Sequence, residues 1–130
     1  AVSRSSKGAL HQAGMQVDDI HIYELHDAYT IMTTLSLEAL GLAERGVGWQ
    51  LSVGDTPAIS LQGRIPISTF GGLKSRGNPV GATGVYQAVE AVLQLRGVAE
   101  ANQVNGAKHA LIQNLGGIAS TVVTHVLSRV

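Results

Sequence analysis

Apolar and polar positions along this chain follow two periods, and the switches between them divide it into elements. Residues 1–13 have helical spacing and run into Gly14, a position suited to a left-handed C-cap, so a short helix is predicted there. Residues 20–25, Ile-His-Ile-Tyr-Glu-Leu, are rich in β-formers and predict a strand. Asp27 is placed as the N-cap of a following helix, whose apolar residues Ala28, Ile31, Met32, Leu35 and Ala39 recur at helical spacing up to Gly41. Residues 42–64 mix Gly, Asp, Pro and Gln without periodicity and predict a long surface loop; a loop of that length is expected to serve function or to cover a partner. A short strand at 65–69 leads into a glycine-rich run at 70–84. A second strong helix then carries Val85, Ala88, Val89, Val92 and Leu95 on one face and ends at Gly97. Finally, strands at 108–113 and 121–127 are joined by a tight glycine-bearing link, as in an antiparallel hairpin. Helices and strands alternating at this spacing predict one layered α/β domain with a mixed sheet.

Composition narrows the function rather than the fold. The chain has 130 residues, enough for one domain with one sizeable core, and its nine basic residues balance nine acidic ones. Zero net charge gives no electrostatic reason to expect nucleic acid or an anionic membrane as partner. No apolar run approaches the ~20 residues that span a bilayer, and no targeting pattern is present, so a cytoplasmic setting is expected. Cysteine is absent, which excludes a disulfide or a thiol nucleophile within these residues. His11, His21, His109 and His125 are scattered without metal-ligand spacing, so no metal site is implied and these histidines read as structural or surface residues. The lack of an initiator Met, with the chain entering directly on a helix, makes a piece of a longer protein the expectation.

Three junctions could carry chemistry. In Glu24-Leu25-His26-Asp27-Ala28-Tyr29, polar side chains follow a strand and open a helix, where α/β proteins place ligands. An imidazole there tends to be kept neutral and suits a base or a hydrogen-bond donor, although simple capping by His26 and Asp27 explains the same residues. The second junction runs from Gly71 to Gly84 and leads straight into a helix, so freed backbone N–H groups can meet an anion or a developing oxyanion, with Lys74 and Arg76 available to phosphate. It matches neither the Walker ending nor Gly-x-Gly-x-x-Gly, and a structural turn is an equal reading. The third, Asn114-Leu115-Gly116-Gly117, is by itself more readily a plain turn.

Taken together and in order, His26-Asp27-Ala28-Tyr29, the run from Gly71 to Gly84 with its Gly77-Asn78-Pro79-Val80-Gly81-Ala82-Thr83-Gly84 ending, and Asn114-Leu115-Gly116-Gly117 resemble the C-terminal domain of the thiolase superfamily along nearly the whole chain. The likeness is to the branch of archaeal acetyl-CoA acetyltransferases and sterol-carrier-protein-type (lipid-transfer) thiolases. It implies a five-layered fold of two similar halves with residues 1–130 as the second, the N-terminal half supplying the nucleophilic cysteine. It implies acyl-CoA thioesters as substrates, coenzyme A entering as part of the substrate rather than as a bound cofactor, and a carbon–carbon bond made or broken beside the thioester. As catalytic residues it points to His26, Asn78 and Tyr29; as substrate-binding residues, to Gly71, Gly72, Gly81, Gly84, Asn114, Gly116 and Gly117.

The departures from the family pattern matter as much. Histidine usually stands at position 78; Asn78 donates from its amide but takes up no proton. The family's second, acid/base cysteine falls near Gln113, and the cysteine of the sterol-carrier type falls at Ala28. His26 followed by Asn78 is similar to the Cys–His–Asn set of ketoacyl-synthase III and HMG-CoA synthase. Tyr29, where the family has Phe, points to thiolase-like aldolases of steroid side-chain degradation as an alternative, and a non-catalytic acyl-CoA- or lipid-binding scaffold is a further one. The resemblance also implies a homodimer, a small zinc-bearing OB-fold partner, inactivity of this piece alone, and a bearing of the 42–64 loop on the acyl chain.

Overall fold

The computed structural model describes all residues, Ala1–Val130, and forms a three-layered α/β unit. Its elements are α1 (Val2–Ala13), β1 (Ile22–Glu24), α2 (Thr30–Leu40), α3 (Gly72–Arg76), α4 (Thr83–Arg96), β2 (His109–Gly116) and β3 (Thr121–Ser128). The sheet order is β1-β2-β3, with β1 parallel and β3 antiparallel to β2. Side chains alternate across a strand, so each strand feeds two cores. On one face Tyr23, Leu25 and Leu111 pack with Leu10 of α1 and Leu37 and Leu40 of α2. On the other, Ile22, Ala110 and Ile112 pack with Ala91 and Leu95 of α4. β1 and the middle of β2 are buried on both faces, so Glu24 and Gln113 are buried along with the apolar residues beside them.

Helices α1, α2 and α4 end at Gly14, Gly41 and Gly97, each left-handed, as the sequence predicts. The expected strand at 65–69 shrinks to one parallel bridge between Tyr23 and Ile67. Pro66 has no N–H to extend the ladder, and Ser68 turns away at φ 43°. Residues 42–64 contain a 3-10 turn at Gly48–Ser52, tied to α2 by the Gly48 N–H donating to Glu38 Oε1 at 3.0 Å. Leu42, Leu51 and Ile59 pack onto the core around Tyr23, so this segment is a cover for the α1–α2 side.

Both helical faces need correction. In α2 the buried residues are Ser36, Leu37 and Leu40, while Ile31 and Leu35 are 58% and 50% exposed. In α4 the sheet receives Thr83, Gln87, Glu90, Ala91, Gln94 and Leu95, while Val85 and Val89 are 66% and 53% exposed. The polar side of α4 faces inward because its amides bond backbone carbonyls of the strands and of the turn after it. Gln87 Nε2 donates to the carbonyls of Glu24 (3.2 Å) and Gln113 (3.0 Å), bridging β1 and β2. No helix is long and apolar enough to cross a membrane.

Candidate active site

Where β1 ends, the chain turns out of the sheet and presents His26 beside Asn114, which leaves β2 on the same face. The two meet at 2.8 Å between His26 Nδ1 and Asn114 Oδ1. An amide oxygen only accepts, so it selects the Nδ1–H tautomer and leaves Nε2 as the basic nitrogen. Asn114 is in turn seated on the first turn of α4: a Cβ on Gly84 would lie 2.8 Å from Asn114 Nδ2. Glycine at 84 is thus required by close approach.

These residues line a cavity of about 870 Å³, which also takes in Tyr29, Asn78, Gly81, Gly84, Gly116 and Gly117. One end is polar, at His26, Asn78 and Asn114. The walls are apolar, from Met32, Val80, Ile112, Leu115, Ile118 and Val123. Few polar groups in a largely apolar concavity is the usual composition of a small-molecule site. Asn78 accepts the Val80 N–H on its Oδ1 at 3.0 Å, so its Nδ2 remains a donor.

Gly71 and Gly72 do not line this cavity. Gly72 adopts φ +61° because a Cβ there would collide with the Asp27 carboxylate, 2.5 Å from Oδ2. Asp27 accordingly does not cap α2, whose N-cap is Tyr29 without a side-chain bond. The buried carboxylate instead accepts the Leu73 N–H at 2.7 Å and the Lys74 N–H at 3.3 Å, the free amides opening α3. Gly71 borders a smaller cleft beside Asp27. Lys74 and Arg76 are not placed for phosphate either. Lys74 Nζ donates to Thr30 Oγ1 at 2.8 Å, and Arg76 Nε meets Glu90 Oε1 at 2.7 Å. None of residues 42–64 lines this cavity.

The hairpin corrects a further expectation. Gln113 points to the opposite face, where its Nε2 donates to Ser6 Oγ at 2.7 Å; the residue facing the cavity from that turn is Asn114. His125, read from sequence as structural or surface, lines the cavity. Its register opposite Ile112 puts it on the face of Asn114, a parity legible once the hairpin pairing is known. No cluster of three or more metal-ligating side chains exists.

Comparison with known proteins bears on this geometry. Residues 1–129 match the family described as thiolase C-terminal domain-like. The chain is 39% identical over 129 residues to an acetyl-CoA acetyltransferase of Methanothermobacter thermautotrophicus, covering 99% of itself and 33% of that protein. It is 41% identical over 120 residues to human sterol carrier protein 2, covering 92% of itself and 22% of that protein. Among solved structures, one titled Ltp2-ChsH2(DUF35) aldolase superposes with a TM-score of 0.83 at 23% identity, over 98% of this chain and 32% of that one. The chain therefore spans a third or less of these relatives.

Proposed function

Since the chain belongs to the thiolase C-terminal domain-like family, we propose that it is the acid/base half of an acyl-CoA enzyme that makes or breaks a carbon–carbon bond next to the thioester. The observation that carries this reading is the His26–Asn114 pair in one cavity with Asn78. Held as the Nδ1–H tautomer, His26 presents Nε2 as a base. In acyl transfer Nε2 removes a proton from the α-carbon, and the electron pair moves onto the thioester oxygen. Asn78 Nδ2 donates to that oxygen, and backbone N–H groups near Gly116 and Gly117 are the candidates for a second hole. The acyl group itself sits on a thiol supplied by an N-terminal half. Coenzyme A is part of the substrate.

A second reading has its own support. Tyr29 adds a phenol to the cavity, Ala28 offers no thiol, and position 78 holds no imidazole. Retro-aldol cleavage of a β-hydroxyacyl-CoA needs no acyl-thiol. Nε2 takes the hydroxyl proton, the Cα–Cβ bond breaks as the new carbonyl forms, and the electron pair enters the thioester as an enolate held by Asn78. The imidazolium then returns its proton to the α-carbon. The aldolase title of the structural neighbour is in keeping with this route, and its second named component makes an OB-fold, zinc-bearing partner worth seeking alongside a homodimer.

The test uses the full-length protein, cytoplasmically expressed, with acetoacetyl-CoA thiolysis and β-hydroxyacyl-CoA cleavage assayed side by side. His26→Ala is expected to lower whichever activity is present by about 10²–10⁴-fold. Asn78→His should raise thiolysis if the site works by acyl transfer and lower cleavage if it works by retro-aldol chemistry. Unchanged turnover in His26→Ala would sink both, and absence of both activities in the wild type would favour a protein that only binds acyl-CoA.

A further inference from the structure

Beneath the cavity, on the sheet side, lies a group of charged residues to which none of the chemistry above gives a role. Arg76, at the end of α3, pairs with Glu90 of α4 at 2.7 Å, with side chains only 17% and 5% exposed. Its guanidinium also stacks over the Tyr86 ring, 4.6 Å from the centroid. Glu24, on β1 and 2% exposed, faces the same pair. Glu24 Oε2 and Glu90 Oε2 are buried without a hydrogen-bond partner, as are Nη1 and Nη2 of Arg76. Two carboxylates and one guanidinium buried together carry one negative charge too many, and a single proton shared between the carboxyls removes that excess and satisfies both oxygens.

Their places in the chain give the group its meaning. Glu24 stands two residues before His26, and Arg76 two residues before Asn78. Asp27, on the other side of His26, holds the first turn of α3 through the Leu73 and Lys74 amides. The acids flanking His26 thus reach both ends of the short segment that delivers Asn78. Neither points into the cavity.

We propose that Glu24, Glu90 and Arg76 are positioning residues that fix the Asn78 loop against His26, the two buried carboxyls and the guanidinium between α3 and α4 closing the clamp. Glu24 meets Glu90 from α4, Arg76 from α3 and the Thr69 N–H from the segment after Pro66; β2 presents only uncharged Ile112 at its level. Burial, then the hydrogen bond and charge of Glu90, hold the Glu24 carboxyl well above the usual carboxylate range, against the opposing pull of Thr69 and Arg76. A raised folded value means the protonated clamp is fully favoured below the unfolded carboxylate range. That contribution is lost as pH rises through the folded value.

The inference rests on the proposed chemistry for its rate readout alone; a second readout, amide exchange, stands without it. In the full-length protein, protection factors for residues 72–80 and kcat and KM for the active substrate are measured against pH. In the wild type, protection and kcat are expected to fall together on the high-pH side. Glu24→Gln keeps a donor toward Glu90 and cannot ionise, so it should abolish that fall in both. Arg76→Met should lower kcat by about 100-fold with KM little changed, as misplacement of a catalytic group does, and Arg76→Lys should recover part of it. A Glu24→Gln protein with the wild-type pH profile of protection overturns the proposal, as does Arg76→Met with residues 72–80 still protected. If no thioester activity is found, the exchange data decide the clamp while the functional reading fails separately.

Discussion

Gly84 and Asn114 show how one missing methyl group is tied to one hydrogen bond. Glycine in the first turn of a helix is ordinarily weaker than alanine by up to ~1 kcal/mol. Here an alanine Cβ would press within 2.8 Å of Asn114 Nδ2, and the clash is with a side-chain end that can swing away. Gly84→Ala is therefore expected to leave the melting temperature within a few degrees of wild type while pushing Asn114 off His26 Nδ1. Without its acceptor the imidazole loses its fixed tautomer, and turnover in the full-length protein should drop about tenfold or more. Stability and activity measured on the same preparation check this. An active, equally stable variant would show that the His26–Asn114 bond does not matter to the rate. At this scale the sequence motifs meet in space: His26, Asn78, Asn114, Gly81 and Gly84 line one cavity. The capping role read for Asp27 is corrected, because a carboxylate next to a helix start looks the same whether it caps that helix or one 46 residues away, and Gly71 and Gly72 lie by that carboxylate rather than in the cavity.

Among the elements, α4 explains where periodicity stops being informative. Its apolar stripe is real, but only Leu95 and Ala88 at its edge meet the sheet-side core, while Val85 and Val89 at its centre are turned away. Hydrophobic spacing locates a helix and its apolar side but does not say what that side meets. The buried side is polar because Gln87 donates to the carbonyls of both Glu24 and Gln113 where the three-residue β1 ends. Gln87→Leu would remove two buried hydrogen bonds at once, an expected loss of about 1–3 kcal/mol. Chemical denaturation of the full-length protein should show a lower midpoint with an unchanged slope. Gln87→Met, of similar volume, should cost as much, whereas a loss with Leu but not with Met would assign the effect to shape rather than to hydrogen bonding. The hairpin was read from sequence with fewer errors, since β2 and β3 alternate by local rules. Its parity brought His125 into the cavity, and no spacing rule in one sequence could have announced that without the register.

For the molecule as a whole, the exposed apolar surface is the feature that the helical patterns had already encoded. Ile31 and Leu35 on α2, Val85 and Val89 on α4, Val80 before α4 and Ile118 at the hairpin turn, 97% exposed, all face outward, and Val80 and Ile118 also line the cavity. Apolar side chains one helical turn apart on an exposed face, as Val85 and Val89 are, mark an interface, and the chain covers only 33% of its archaeal relative. The expectation is that the remaining part of the protein covers it and completes the site. A single pair of substitutions separates this from a surface that is merely tolerated. Val85→Glu with Val89→Glu should make residues 1–130, produced alone, bind less hydrophobic dye and self-associate less. The same pair in the full-length protein should lower the melting temperature by several degrees, because two charges are then buried without partners. Opposite signs in the two settings identify the α4 face as one that the longer protein buries. If the pair improves or leaves unchanged the full-length protein, that face is solvent-exposed there too, and the apolar stripe of α4 has some other origin.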